Sequence, residues 1–330
     1  NDHGVQLMLL AGDLFDSDSI YGQTAEKLAA ALAEFRGHVV IAPGNHDCYT
    51  AASPYARTLW PDNVLIFTAP EMLSMGLSFP QYGCTVYGAA FTAPEMPESA
   101  ELAGIAEQDG NVAIGILHGE AGVKDSRYRP IPLQQIAQSG LDYLALGHVH
   151  ACSGVQLAGK TAYAYPGCPE GRGFDELGDK GFLAGEVDKG SVKLRFVPFA
   201  KRRYEIVTVD VTGREPLEAV CEALPQHTEA DIYRVILTGE RSGSVDTAAI
   251  TDELSPGSTR WRCGIAPPCA VISGTAAART PCGGCSCKKC GRNTTPPVRT
   301  SARPSSRRCG LPCPPWKTGI CNATLTEEKT

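Results

Sequence analysis

The chain has 330 residues, a net charge of −6 and 14 cysteines, enough length for one substantial core and a smaller one without disulfides or a structural metal. It holds no apolar run near the roughly 18 residues of a membrane span and no basic-then-apolar leader pattern, so the expectation is a soluble cytoplasmic protein with no membrane partner. Charge and cysteine are unevenly spread: residues 1–254 carry 18 Lys+Arg against 34 Asp+Glu, residues 255–330 carry 12 against 2, and nine cysteines lie in Cys263–Cys321.

In chain order, Val5–Ala11 is a short apolar run ending in Gly12-Asp13, the pattern of a strand buried on both faces with a polar residue at its carboxyl end. Leu28, Ala31, Leu32 and Phe35 then recur at helical spacing with Gly37 as the stop. His38–Ala42 is a second buried strand and runs into Gly44-Asn45-His46-Asp47. Val112–Leu117 delivers His118, a helix falls over Leu133–Ser139, and Tyr143–Leu146 delivers Gly147-His148-Val149-His150. Four strands thus end in residues able to bind metal. The texture then changes to shorter segments at Thr161–Tyr165, Gly181–Val187 and Ser191–Val197, the last apolar at every second residue. The expected architecture is α/β in the first half and antiparallel β in the second, as two mixed sheets flanked by helices.

From Lys201 the order is strand Tyr204–Val209, helix Glu215–Leu224, strand Ile232–Leu237 and helix Asp246–Leu254. The expected domains are therefore 1–200 as the main domain, 201–254 as a small α+β module, and 255–330 as a Cys/Pro/Arg-rich tail. In the tail, Cys282-Gly-Gly-Cys285 and Cys287-Lys-Lys-Cys290 are separated by one residue, too close for two knuckles to fold round one zinc ion. Its composition suits disorder, or the product of a shifted reading frame.

Asp13, Asn45, His118, His148 and His150 together supply a carboxylate, an amide oxygen and three imidazoles, a mixed O/N set that suits Mn, Fe or Zn better than Mg or Ca. His148 and His150, two residues apart at a strand end, face one side and can serve two neighbouring metals. Two cations about 3.5–4 Å apart can clamp a phosphate and activate a bridging water, and Asp13 is the carboxylate placed to bridge them. His46, next to Asn45, is expected to stabilise developing charge or protonate the leaving oxygen. Asp47 either orients that imidazole or caps a helix ahead of residues 53–59.

Gly12-Asp13-Leu14-Phe15-Asp16, Gly44-Asn45-His46-Asp47, Leu117-His118-Gly119-Glu120 and Gly147-His148-Val149-His150 resemble, in order and spacing, motifs of the calcineurin-like metallophosphoesterases. Tyr165–Phe174 and Gly178-Asp179-Lys180-Gly181 are similar to the DNA-repair exonuclease branch, the SbcD-type nuclease subunits of bacteria. The resemblance covers about residues 1–250. It implies an αββα sandwich with a small cap domain, which residues 201–254 resemble, and two divalent metal ions, Mn first with Fe or Zn as alternatives. It also implies Asp13 bridging, with Asn45, His118 and His148 on one metal and His150 on the other. The implied partners are DNA and an ATPase subunit, with homodimerisation common among relatives. Arg172 and Lys180 fall in the family-like segment and are expected to flank substrate.

The family's first motif, Asp-x-His on an N-terminal strand, has no counterpart in this sequence, so one metal is expected to keep only Asp13 and His150, with weak binding and low activity. The leading expectation is a DNA exonuclease or endonuclease acting in repair. The net acidity of residues 1–254 requires a local cationic patch for this, from Lys124, Arg127 and Arg129 or from Lys201-Arg202-Arg203. The alternatives are a small-nucleotide phosphodiesterase or phosphatase, and a non-catalytic scaffold binding DNA or an ATPase.

Overall fold

The computed structural model describes residues 1–16, 22–72, 76–106, 110–225, 230–240 and 244–254. The expectations for the tail lie outside the described residues. Two compact units divide the described residues: 1–206 with 230–233, and 207–225 with the described residues between 234 and 254.

The first unit opens with β1 (Leu7–Leu10), α1 (Gly22–Ala33), β2 (His38–Ile41), α2 (Pro54–Arg57) and β3 (Val64–Ile66). Next come β4 (Leu77–Phe79), β5 (Cys84–Gly88), β6 (Val112–His118), and the two-residue strands β7 (Glu120–Ala121) and β8 (Pro130–Ile131). After α3 (Leu133–Ala137) follow β9 (Tyr143–Gly147), β10 (Gln156–Ala158), β11 (Thr161–Ala164), β12 (Gly181–Asp188) and β13 (Ser191–Pro198).

These strands build a three-stranded sheet in the order β1-β2-β3 and a six-stranded sheet in the order β10-β11-β9-β6-β5-β4. The smaller sheet is all parallel, with Leu7 opposite His38 and Val39 opposite Val64. The larger is mixed: β5, β6, β9 and β11 run parallel, while β4 and β10 are antiparallel edge strands.

Alternation along each strand creates the layers. Val40 of β2 and Ala42 just beyond its end pack with Val86, Ile114, Ile116, Tyr143 and Ala145 of the larger sheet, joined by Leu7 and Leu9, so the two sheets share a middle layer. Val39 and Ile41 point the other way, onto Ala25 and Leu32 of α1. On the far side of the larger sheet, Ala113, Leu117, Leu144 and Leu146 pack with Ile136 of α3. The result is helix, sheet, sheet, helix, as expected. The β12–β13 hairpin adds Leu183, Val187, Val192 and Leu194 to the middle layer.

The second unit has its own core, in which Val209, Val211, Ala219, Val220, Val235, Leu237 and Ile250 are buried. They come from β14 (Tyr204–Asp210), α4 (Pro216–Ala223), β15 (Ile232–Thr238) and α5 (Thr247–Leu254). Glu215 caps α4, its carboxylate accepting from the Leu217 and Glu218 amides. No helix among the described residues is long and apolar enough to cross a membrane.

Candidate metal centre

The carboxyl ends of β1, β2, β6 and β9 meet at one point because glycine lets their loops touch. A Cβ on Gly147 would lie 1.7 Å from the Ala11 carbonyl oxygen, and one on Gly12 would lie 2.6 Å from Gly44 backbone and from His118 Nδ1. Neither contact is tolerable, so only glycine allows the close approach. The residues just beyond are strained: Asp13 has φ 53° and His148 φ 103°, a region that side-chain-bearing residues occupy at a cost of about 1–3 kcal/mol and that clusters at functional sites.

Four ligand atoms converge there. His118 Nε2 lies 2.9 Å from Asn45 Oδ1, 3.2 Å from His148 Nδ1 and 3.2 Å from Asp13 Oδ2. His148 Nδ1 is also 3.1 Å from Asn45 Oδ1. The outer nitrogens set the tautomers. His118 Nδ1 lies 2.8 Å from the Ala11 carbonyl, which only accepts, so it carries the proton. His148 Nε2 lies 3.3 Å from Glu120 Oε1, which by the same argument accepts its N–H. Both inner nitrogens therefore present lone pairs, alongside one carboxylate and one amide oxygen. Four acceptors facing one another repel unless a cation sits between them, and an imidazole held from behind by a carbonyl or carboxylate is how proteins fix metal-ligating histidines.

Where His118 is instead protonated, burial pushes the Asp13 carboxyl up, but the His118 hydrogen bond and charge, with the His46 amide, outweigh it and leave it below the usual carboxylate range. Burial, followed by the His118 charge, lowers His148 from the ordinary imidazole value against the pull of Glu120. His118 is fully buried, with Phe91 edge-on to its ring at 5.4 Å.

His148 and His150 do not act from one strand face as expected. β9 ends at Gly147, and the left-handed turn at His148 sends the two rings to different clusters. His150 Nδ1 lies 2.5 Å from Glu176 Oε1, and with Cys168 these side chains form a second group whose donor atoms all lie within 4.8 Å of one another. The second position thus has more to offer than Asp13 and His150 alone.

His46 is exposed beside the first cluster, its backbone amide donating to Asp13 Oδ1 at 3.0 Å. Asp47 is fully buried and does something other than orient the His46 ring or cap a helix, for the N-cap position of α2 falls on Ser53. Its Oδ1 accepts from Gly44 N at 2.8 Å and Asp13 N at 3.2 Å; its Oδ2 accepts from Leu14 N at 2.7 Å, Phe15 N at 3.2 Å and the Tyr55 hydroxyl at 2.5 Å. Burial pushes this carboxyl up, against the Tyr55 and backbone hydrogen bonds. Asp47 ties the loop carrying Asp13 to the loop carrying Asn45.

The remaining expectations are redistributed. Arg172 is exposed and paired with Asp16, while its backbone amide donates to Glu176 Oε2 at 2.7 Å. Lys180 is buried, and its Nζ donates to the His150 carbonyl at 3.0 Å. Arg129 leaves the expected cationic patch altogether. Only 2% exposed, it donates to the carbonyls of Pro70 and Ala90, lies 4.8 Å over the Phe91 ring, and is lowered to about 10 by burial. Arg127 pairs with Glu95, Arg202 with Glu170, and Arg203 with Asp231.

Sequence reasoning missed Glu120, Glu176, Cys168 and Tyr165. Tyr165 clamps the loop after His118 by donating its hydroxyl to the Gly119 carbonyl at 2.8 Å and accepting from the Ala121 amide at 2.7 Å. Glu120 stood inside a motif and was legible as a partner for a histidine; the others lie in segments without metal-ligand spacing.

Residues 1–152 match the family model for calcineurin-like phosphoesterases. The chain is 31% identical over 223 residues to the uncharacterized metallophosphoesterase YhaO of Bacillus subtilis, covering 66% of this chain and 54% of that protein. It is 28% identical over 241 residues to the DNA double-strand break repair protein Mre11 of Methanopyrus kandleri, covering 63% of this chain and 51% of that protein. The chain spans about half the length of the curated relatives it matches.

Proposed function

The chain belongs, through residues 1–152, to the calcineurin-like phosphoesterases, and on that premise we propose that it is a metal-dependent phosphodiesterase that hydrolyses DNA in repair. The observation that carries the hydrolytic part is the convergence of lone pairs from Asp13, Asn45, His118 and His148, a donor set that fits a divalent cation. The DNA part is supported by the likeness to an Mre11 protein.

In this reading Asp13, Asn45, His118 and His148 hold one ion and His150 contributes to a second, with Mn suited to the oxygen-and-nitrogen set and Fe or Zn as alternatives. Bound divalent ions supply Lewis acidity toward a phosphoryl oxygen and a water acidic enough to attack at neutral pH. The protein's own part is positional. Ala11 and Glu120 fix the histidine tautomers, Asp47 fixes the two loops, and the exposed His46 lies where it can donate a proton to the leaving oxygen. Arg172, freed from Asp16, would meet a substrate phosphate as a bidentate donor, with Lys180 behind it. Residues 201–254 are read as the family's cap module, and an ATPase subunit and a second copy of the chain as the partners.

A small phosphodiester is the second reading, favoured by one observation: Arg127, Arg172, Arg202 and Arg203 are each paired with a carboxylate, in a region of net negative charge. Fewer free cations mean fewer phosphate contacts along a duplex. The test is degradation of linear double- and single-stranded DNA by the full-length gene product with Mn2+, against His46→Ala. DNA loss requiring both Mn2+ and His46 supports the nuclease. Intact DNA with Mn2+-dependent hydrolysis of a small phosphodiester moves the substrate to nucleotides.

A further inference from the structure

We propose that Cys168 is a direct metal ligand, so that His150, Cys168 and Glu176 form a sulfur-containing site for a thiophilic divalent cation of the Zn2+ class, beside a first site that has no sulfur. The proposal rests on the metal-centre reading above in taking His150 as a ligand, and goes beyond it in the identity of the other two ligands and in the metal they select.

The geometry is of the right size. Donor atoms held 2.0–2.3 Å from one ion stand about 3–4 Å apart, and one donor atom from each of the three side chains falls within 4.8 Å of the others; His150 Nδ1 and Glu176 Oε1, hydrogen-bonded at 2.5 Å, give up that shared proton and spread apart when an ion takes its place. The three side chains are brought together by backbone contacts independent of any ion. Gly167, at φ 80°, lets the turn before Cys168 press on residues 150–152, where a Cβ would meet the His150 carbonyl oxygen at 3.0 Å. Cys168 Sγ then lies 3.7 Å from that oxygen. The Cys168 carbonyl is anchored by the Gly181 amide at 3.1 Å, and Lys180 ties the same segment to His150.

Glu176 is a nearly buried carboxylate at 7% exposure, sharing one oxygen with His150 and the other with the Arg172 amide. A buried carboxylate beside an imidazole and a thiol is the mixture that soft and borderline ions prefer, whereas the carboxylate, amide and two imidazoles of the first cluster accept harder ions. His150 is 55% exposed, so the three protein ligands leave a fourth position facing water, as catalytic rather than structural zinc sites do. The two clusters therefore select different metals. Arg172 links them through its amide on Glu176 and its guanidinium on Asp16, three residues from Asp13.

The test is alkylation of individual cysteines by iodoacetamide, read peptide by peptide by mass spectrometry, on the full chain with and without Zn2+. Because labelling is resolved by residue, the nine cysteines after residue 255 do not confuse it. Zn2+ is expected to abolish labelling of Cys168 while the exposed Cys221 labels at an unchanged rate. Protection should be lost in Glu176→Gln and His150→Ala and kept in Asp13→Asn, each variant first shown to be folded by circular dichroism. Equal labelling of Cys168 with and without saturating Zn2+ overturns the proposal, as does protection that survives both Glu176→Gln and His150→Ala. Failure of the first-cluster reading is separate: it shows as unchanged Mn2+ binding in Asp13→Asn, whatever happens at Cys168.

Discussion

Asp47→Asn separates a loop clamp from a catalytic relay, because the two roles lose different things. In the structure Asp47 Oδ1 receives two backbone N–H groups, from Gly44 and Asp13, and Oδ2 receives those of Leu14 and Phe15 and the Tyr55 hydroxyl. Asparagine has the same shape but only one acceptor oxygen. Its best placement keeps the carbonyl at the three-donor side and turns its NH2 toward the Gly44 and Asp13 amides, where donor faces donor. Losing hydrogen bonds to a charged, buried acceptor and leaving their donors unpaired costs about 3 kcal/mol here, or about 6–12 °C in Tm for a unit of this size. Tyr55→Phe removes a single bond and should cost only about 1–1.5 kcal/mol. Since the clamped loops carry Asp13 and Asn45, metal affinity should fall with Tm in Asp47→Asn. The assay is thermal unfolding by circular dichroism together with bound metal by mass spectrometry. An Asp47→Asn protein with the Tm and metal content of the unaltered chain, but a displaced pH–rate profile, would refute the clamp and restore the pairing with His46.

Glu120→Gln leaves His148 in place but weakens the acceptor behind its Nε2, and metal affinity at the first site should drop by about 10–100-fold, measured by titration of Mn2+ binding. Gly147→Ala puts a Cβ 1.7 Å from the Ala11 carbonyl, so β9 must pull away from β1; the expected result is loss of soluble folded protein in an expression trial, and a folded variant with unchanged Tm would count against the close approach. At Asp231, burial raises the carboxyl but the Arg203 hydrogen bonds and charge outweigh it and hold it below its ordinary value. A depressed carboxylate adds stability above its unfolded pKa of about 3.9 that is lost as pH falls through the lower folded value. The Tm difference between the unaltered chain and Asp231→Asn should therefore be steady from pH 7 to about 5 and close below about pH 4; a difference persisting into that acid range would contradict the pairing.

Much of the layering was readable because the buried parallel strands are continuous apolar runs: Leu7–Leu10, His38–Ile41, Val112–His118 and Tyr143–Gly147 fall inside or at the edges of the runs from which they were expected. β3 and β5 were not readable. β3 is three residues long, and β5 mixes Cys84, Thr85, Val86, Tyr87 and Gly88, so neither shows a period even though β5 is buried throughout. The metal-capable residues announced themselves by standing at strand ends, and the structure gathers Asp13, Asn45, His118 and His148. Their supports were hidden for a physical reason. Asp47, Tyr55, Glu120 and Glu176 act through tertiary hydrogen bonds between residues 8 to 34 positions apart, which no local pattern encodes. Arg129 misled because charge in a sequence reads as surface, while here three carbonyls and an aromatic face replace water around the guanidinium.

The most direct test of the central claim is hydrolysis of a simple phosphodiester by the full-length gene product as Mn2+ is titrated, with bound metal counted in the same samples and in Asp13→Asn. The account predicts hydrolysis that appears with added metal, disappears with a chelator, and is lost in Asp13→Asn together with bound Mn2+. Hydrolysis indifferent to the chelator, or an Asp13→Asn protein that keeps both its metal and its activity, would contradict it.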